Sequence, residues 1–138
     1  MQVQPYLFFD GRCEEAIEFY RQTLGAEVIA LMRFKDSPEQ GSSPPGSAEK
    51  IMHANLRVGE TTFMASDGRC EGHPKFQGFA LSLTVSAVAE AERLFVLLGQ
   101  GGQVQMPLTQ TFFSPRFGML ADRFGVSWMV YVAAPQPK

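Results

Sequence analysis

Glu15-Ala16-Ile17-Glu18-Phe19-Tyr20, closed by Leu24-Gly25, returns in altered form as Glu90-Ala91-Glu92-Arg93-Leu94-Phe95, closed by Leu98-Gly99. The second run lies about 75 positions after the first, a spacing that marks an internal repeat. Each run follows an apolar stretch, residues 6–9 and 79–85. Ala16, Ile17, Tyr20 and Leu24 fall at helical spacing in the first copy, as do Ala91, Leu94, Phe95 and Leu98 in the second. A chain made of two copies of one strand–helix–strands unit has a pseudo-two-fold axis, and a groove between copies is a natural place for a ligand.

Working outward from the first copy, residues 3–9 read as a strand with Pro5 at its entry, and Asp10-Gly11 as a turn. The helix spans 14–24, with acidic residues in its first turn and Gly25 as its stop. A strand at 27–34 precedes residues 35–48, whose Pro, Gly and Ser content predicts a loop or lid. Residues 50–58 alternate: Met52, Ala54, Leu56 and Val58 form one face, and Ile51, His53, Asn55 and Arg57 the other. Gly59-Glu60 turns the chain into Thr61–Ser66 as a hairpin.

The second copy begins after a linker, with strand 79–85 and Ser86 as the expected helix N-cap. Strand 104–108 follows the helix, then an aromatic loop or strand at 109–116, then strands at Phe117–Ala121 and 126–132. The order β-α-β-β-β twice predicts an α+β fold. Two βαβββ modules, residues 1–68 and 78–134 joined by 69–77, are expected to pair within the single domain 1–138. They would form a curved, roughly eight-stranded mixed sheet around a cavity, with helices on the outer face.

The 138 residues suffice for one core, and a net charge of −2 without a Lys/Arg cluster argues against a nucleic-acid surface. No apolar run reaches the roughly 18 residues of a membrane span, and the first residues do not read as a signal peptide. Two cysteines make no disulfide framework, so a cytoplasmic setting is expected. The apolar content leads us to expect a homodimer.

The first copy, Tyr6-Leu7-Phe8-Phe9-Asp10-Gly11 with Glu15 to Tyr20 and Leu24-Gly25, resembles the glyoxalase/bleomycin-resistance/dioxygenase group, the vicinal oxygen chelate superfamily. Met52-His53-Ala54-Asn55-Leu56 with Ser66-Asp67 and Gln110-Thr111-Phe112-Phe113 narrow the resemblance to the PhnB-like branch. So does Phe117-Gly118-Met119 with Asp122-Arg123-Phe124-Gly125-Val126-Ser127-Trp128. The branch carries a demethylubiquinone methyltransferase label, yet the sequence has no strand–Gly-rich turn–helix unit to cradle a nucleotide-like cofactor. Metal-using members place ligands on the first and last strand of each module. By the resemblance those slots fall here at Gln4, Phe63 or Met64, Ala80 and Met129. A catalytic metal needs about three protein ligands, so neither a metal nor another cofactor is expected.

The resemblance and the strand parity together nominate an unidentified small molecule as partner. His53, Asn55, Asp67, Ser82, Thr84, Gln110, Phe112, Met129 and Tyr131 are its candidate contacts. A neutral imidazole at His53 can exchange a proton near pH 7, or it can be a sheet histidine bonded to a neighbouring strand or to Asp67. Asp67 reads either as a ligand anchor or as a turn residue accepting backbone N–H bonds. Trp128 reads as helix-facing core opposite Met129 and Tyr131, and the phenylalanines at 112, 113, 117 and 124 as aromatic walls or as packing. Cys70 and His73 are too few for a structural zinc. The favoured reading is a metal-independent binding protein. The alternative is an isomerase, lyase or dioxygenase using a metal on Gln4, His53 and Asp67.

Overall fold

The computed structural model describes residues 1–38, 43–70 and 74–133. Its elements are β1 (Tyr6–Phe8), α1 (Cys13–Leu24), β2 (Glu27–Arg33), a 3-10 turn (Phe34–Asp36), β3 (Ile51–Val58), β4 (Thr61–Ser66), β5 (Leu81–Val85), α2 (Val88–Gly99), β6 (Gln103–Thr109), β7 (Phe117–Ala121) and β8 (Ser127–Val132). The chain divides into two compact units, Met1–Lys75 and Phe76–Lys138. Each unit has one helix and one four-stranded mixed sheet. Strand order is β1-β4-β3-β2 in unit one and β5-β8-β7-β6 in unit two, the same order twice. In each, the first strand lies parallel to the last and the other pairs are antiparallel. The repeat seen in the sequence is therefore a repeat of topology.

In unit one, α1 buries Ala16, Ile17, Phe19 and Tyr20, and Leu7, Ala54, Leu56, Phe63 and Ala65 are buried on the strands. Burying a large apolar side chain stabilises by about 1.5–3 kcal/mol. Thr23 takes the buried place expected of Leu24, because its hydroxyl is satisfied by the Phe19 carbonyl at 2.8 Å. Gly25 ends the helix in the left-handed region at φ 67°, where a side chain would be strained. Strand β1 is shorter than residues 3–9, but its pairing extends past both ends through Met64 N–H to Pro5 O and Phe9 N–H to Ser66 O. The segment 35–48 is tied down on its described part. Lys35 N–H reaches Ala48 O at 3.0 Å, and Ser47 is buried. Residues 39–42 lie outside the described residues.

In unit two, α2 buries Ala91, Leu94, Phe95 and Leu98, as the periodicity predicts. Its N-cap is Ala87 rather than Ser86, and no side chain caps it. Gly118 lets the helix approach the sheet: a Cβ there would sit 2.8 Å from the Phe95 ring. Trp128, Val130 and Val132 are buried, while Met129 and Tyr131 between them are half-buried. Among the described residues no helix is long and apolar enough to cross a membrane.

Candidate functional site

Alternation along β3 places His53 and Asn55 on the face opposite Ala54 and Leu56. Pairing then builds two rows across unit one's sheet. Tyr6 is level with Met64, Met64 with Asn55, and Asn55 with Ala30. Phe8 is level with Ser66, and His53 with Met32. Beyond them Thr62 pairs with Arg57 and Arg57 with Glu27. This face, opposite the buried Ala54 and Leu56, carries the candidate site.

Tyr6 Oη lies 2.9 Å from His53 Nδ1. Burial pushes the phenol above its ordinary pKa, partly offset by Ser66, so Tyr6 stays neutral near pH 7. A phenol that donates here makes Nδ1 the acceptor and leaves the imidazole proton on Nε2. Tyr6 stacks on Phe8 with ring centroids 5.0 Å apart. Two positions along β3, Asn55 Oδ1 is buried and has no hydrogen-bond partner among the described residues. A buried acceptor left empty costs about 1–3 kcal/mol. The surrounding polar groups are engaged: the Gln4 amide donates to the Thr62 hydroxyl, and Arg57 pairs with Glu27.

Asp67 belongs elsewhere. It is fully buried, and Oδ1 accepts the N–H groups of Gly11 at 2.8 Å and Cys13 at 2.7 Å. Oδ2 accepts the N–H of Ile51 at 2.7 Å. Of its two sequence readings, acceptance of backbone N–H bonds is what the geometry carries. The carboxylate caps α1 from 54 positions away, where the N-cap Arg12 supplies no side-chain bond. Burial first, and the Asp67 charge second, push the Cys13 thiol far above its usual value, which makes it a poor nucleophile.

Ser82, Thr84, Met129 and Tyr131 come together on one face of unit two's sheet, because Ser82 pairs with Met129 and Thr84 with Tyr131. Gln110 and Phe112 lie outside that sheet, on the loop after β6, and the Phe112 ring is 100% exposed. Ser114 ties this loop down through its hydroxyl to the Val132 carbonyl at 2.6 Å. Of the Cys70–His73 pair, His73 lies outside the described residues. Among the described residues, no three His, Cys, Asp or Glu side chains are grouped to hold a metal ion.

Sequence reasoning missed Tyr6. An aromatic residue in a first strand is unremarkable until the parallel β1–β4 register brings it to a histidine 47 positions away. It offered Asp67 as an acceptor of backbone N–H bonds in a turn, and missed that those bonds cap α1. The available signal was a helix starting at Gly11-Arg12-Cys13 with no Ser, Thr, Asp or Asn at its N-cap, a start that demands a distant acceptor.

A family model described as 3-demethylubiquinone-9 3-methyltransferase matches residues 1–131. The chain is 36% identical over 147 residues to protein YjdN of Escherichia coli (strain K12), covering 99% of both. It is 46% identical to protein PA1353 from Pseudomonas aeruginosa, with a TM-score of 0.85 over 96% of this chain and 98% of that one. It is 30% identical to the PhnB protein from Bacillus cereus, with a TM-score of 0.80 over 96% of this chain and 100% of that one. A glyoxylase/bleomycin resistance protein/dioxygenase domain from Frankia sp. EAN1pec shares the fold at 15% identity, with a TM-score of 0.67 over 96% of this chain and 95% of that one.

Proposed function

The chain belongs to the PhnB-like family described as 3-demethylubiquinone-9 3-methyltransferase, and from that premise we propose that it is a metal-independent protein binding a small, partly apolar molecule on unit one's helix-free face. One observation carries this reading. The Tyr6–His53 pair, the stacked Phe8, Met64 and an unfilled acceptor at Asn55 share one face. Polar groups placed sparsely among apolar surface are what small-molecule sites offer.

The family description implies a methyl donor, and the residues do not fit one. A nucleotide-like cofactor is held by free N–H groups at a strand–helix turn. At the β1–α1 turn the N–H groups of Gly11 and Cys13 already bind Asp67, and the β5–α2 turn, Val85-Ser86-Ala87-Val88, has no glycine to let a phosphate approach the backbone. A divalent ion fits no better. Asp67 would have to leave three backbone N–H groups to join Gln4 and His53. The metal-dependent alternative therefore finds its one carboxylate already engaged.

The proposed setting is the cytoplasm, supported by two free thiols. The proposed assembly is a homodimer, supported by exposed apolar residues on two edge strands, Val28, Ile29 and Leu31 on β2 and Val104 and Met106 on β6. A metabolite and antibiotic panel read by thermal shift, with chelator present and His53→Ala as control, tests the binding reading. Saturating stabilisation in chelator, lost in the variant, is expected. Stoichiometric metal with metal-dependent turnover, or no binding by any member, would overturn it.

A further inference from the structure

We propose that the helix-free face of unit one selects an uncharged, flat ligand that brings a hydrogen-bond donor, an N–H or O–H, to Asn55 Oδ1. This rests on the reading that the face binds a small molecule, and it names the chemistry of that molecule. The unmet demand among the buried groups of this face is for a donor. His53 Nδ1 is engaged by Tyr6, and the Gln4 amide by Thr62. Asn55 Oδ1 alone among the buried side-chain oxygens and nitrogens of the described residues has no partner. A carboxylate or phosphate brings only acceptors and would set oxygen against oxygen. Charge is disfavoured for a second reason. Arg57 and Glu27 neutralise each other, so an ionic ligand would lose hydration without gaining a counter-charge.

Shape follows from the neighbours. Tyr6 and Phe8 stack at an interplanar angle of 25°, and Met64 pairs with both Tyr6 and Asn55. A planar ring laid beside this pair gains aromatic and thioether contacts, while its edge points a donor along the row toward Asn55. The ligand class is thus a neutral aromatic or heteroaromatic molecule with an N–H or phenolic O–H on its rim.

Matched probes separate this inference from the broader one. Indole and 1-methylindole differ in one donor, as do 2-naphthol and 2-methoxynaphthalene, and isoquinoline offers only an acceptor. Titrations on the unmodified protein should show indole and 2-naphthol binding about tenfold more tightly than their methylated partners, the effect of leaving a buried acceptor unpaired. Asn55→Ala should bring the parent probes down to the level of the methylated ones. The comparison on the unmodified protein needs no variant, so it decides the matter even if Asn55→Ala fails to fold. Equal binding within each pair, or isoquinoline binding more tightly than indole, would overturn the inference while leaving the small-molecule reading intact. Binding by none of the five would overturn both.

Discussion

Unit one and unit two share a strand order, and each contains one buried aspartate at the end of a strand, yet the two carboxylates hold different things together. In unit one, Asp67 joins the end of β4 to the start of α1 and to β3, segments 56, 54 and 16 positions away. In unit two, Asp122 works within a single hairpin. Its Oδ1 accepts Phe124 N–H at 2.9 Å and Val126 N–H at 3.1 Å, and its Oδ2 accepts the Trp128 indole N–H at 2.9 Å. The first is a long-range clamp and the second a local turn lock. The helix-free faces differ in the same sense. Unit one's holds a tyrosine–histidine pair and an unfilled acceptor, while unit two's holds Ser82, Thr84, Met129 and Tyr131. A duplicated topology therefore leaves each copy free to use its polar residues differently.

The largest expected effect breaks the clamp. Asp67→Ala strands three backbone N–H groups in the interior, and a loss of about 3–5 kcal/mol follows. The melting temperature should fall by about 10 °C or more. An Asn in its place should recover only part of this, since its Oδ1 can accept the Gly11 and Cys13 bonds while its NH2 would face the Ile51 N–H. A melting temperature within a degree or two of the parent would refute the clamp.

Asp122→Ala comes next, at about 2–3 kcal/mol, because the groups it releases lie in one turn and relax toward solvent more easily. Hydrogen exchange should show opening confined to the β7–β8 turn for this variant, and spread over α1 and β3 for Asp67→Ala. The reverse distribution would invert the comparison.

Gly118→Ala probes packing in unit two, where the added carbon would meet Phe95 at 2.8 Å and the Leu108 backbone N at 3.0 Å. About 1–3 kcal/mol is expected, the usual cost of overpacking. Denaturant melts showing no loss would mean that α2 and the sheet give way freely.

The smallest effect is a pH dependence specific to unit one. The Cys13 thiol is raised by burial and by Asp67. Its contribution is fully present below the unfolded thiol value of about 8.5 and is lost as pH climbs toward the raised folded value. Stability should fall above that pH by at most about 1.4 kcal/mol per unit from this group. Denaturation midpoints from pH 7.5 to 9.5 should slope less in Cys13→Ala, and equal slopes would remove Cys13 as the cause.

How far the fold was legible follows from the range of each signal. Helical spacing around Ala91 to Leu98 and alternation from Trp128 to Val132 are local, and both match the buried rows. Helix starts were less legible because their caps are not local. Ser86 sits one residue too early, and the α1 start is satisfied by Asp67 from across the unit. On the candidate site, parity alone placed His53 and Asn55 on a common face. Tyr6 was hidden, because only the parallel pairing of β1 with β4 brings it within 2.9 Å of His53.

Everything proposed for unit one depends on its helix-free face binding a neutral small molecule without a metal. Backbone and side-chain NMR shifts recorded while 2-naphthol is added in the presence of chelator test it most directly. Saturating shifts concentrated at Tyr6, His53, Asn55 and Met64, absent or much reduced in Asn55→Ala, are expected. Shifts confined to unit two's Ser82, Thr84, Met129 and Tyr131, or appearing only when a divalent ion is restored, would contradict it.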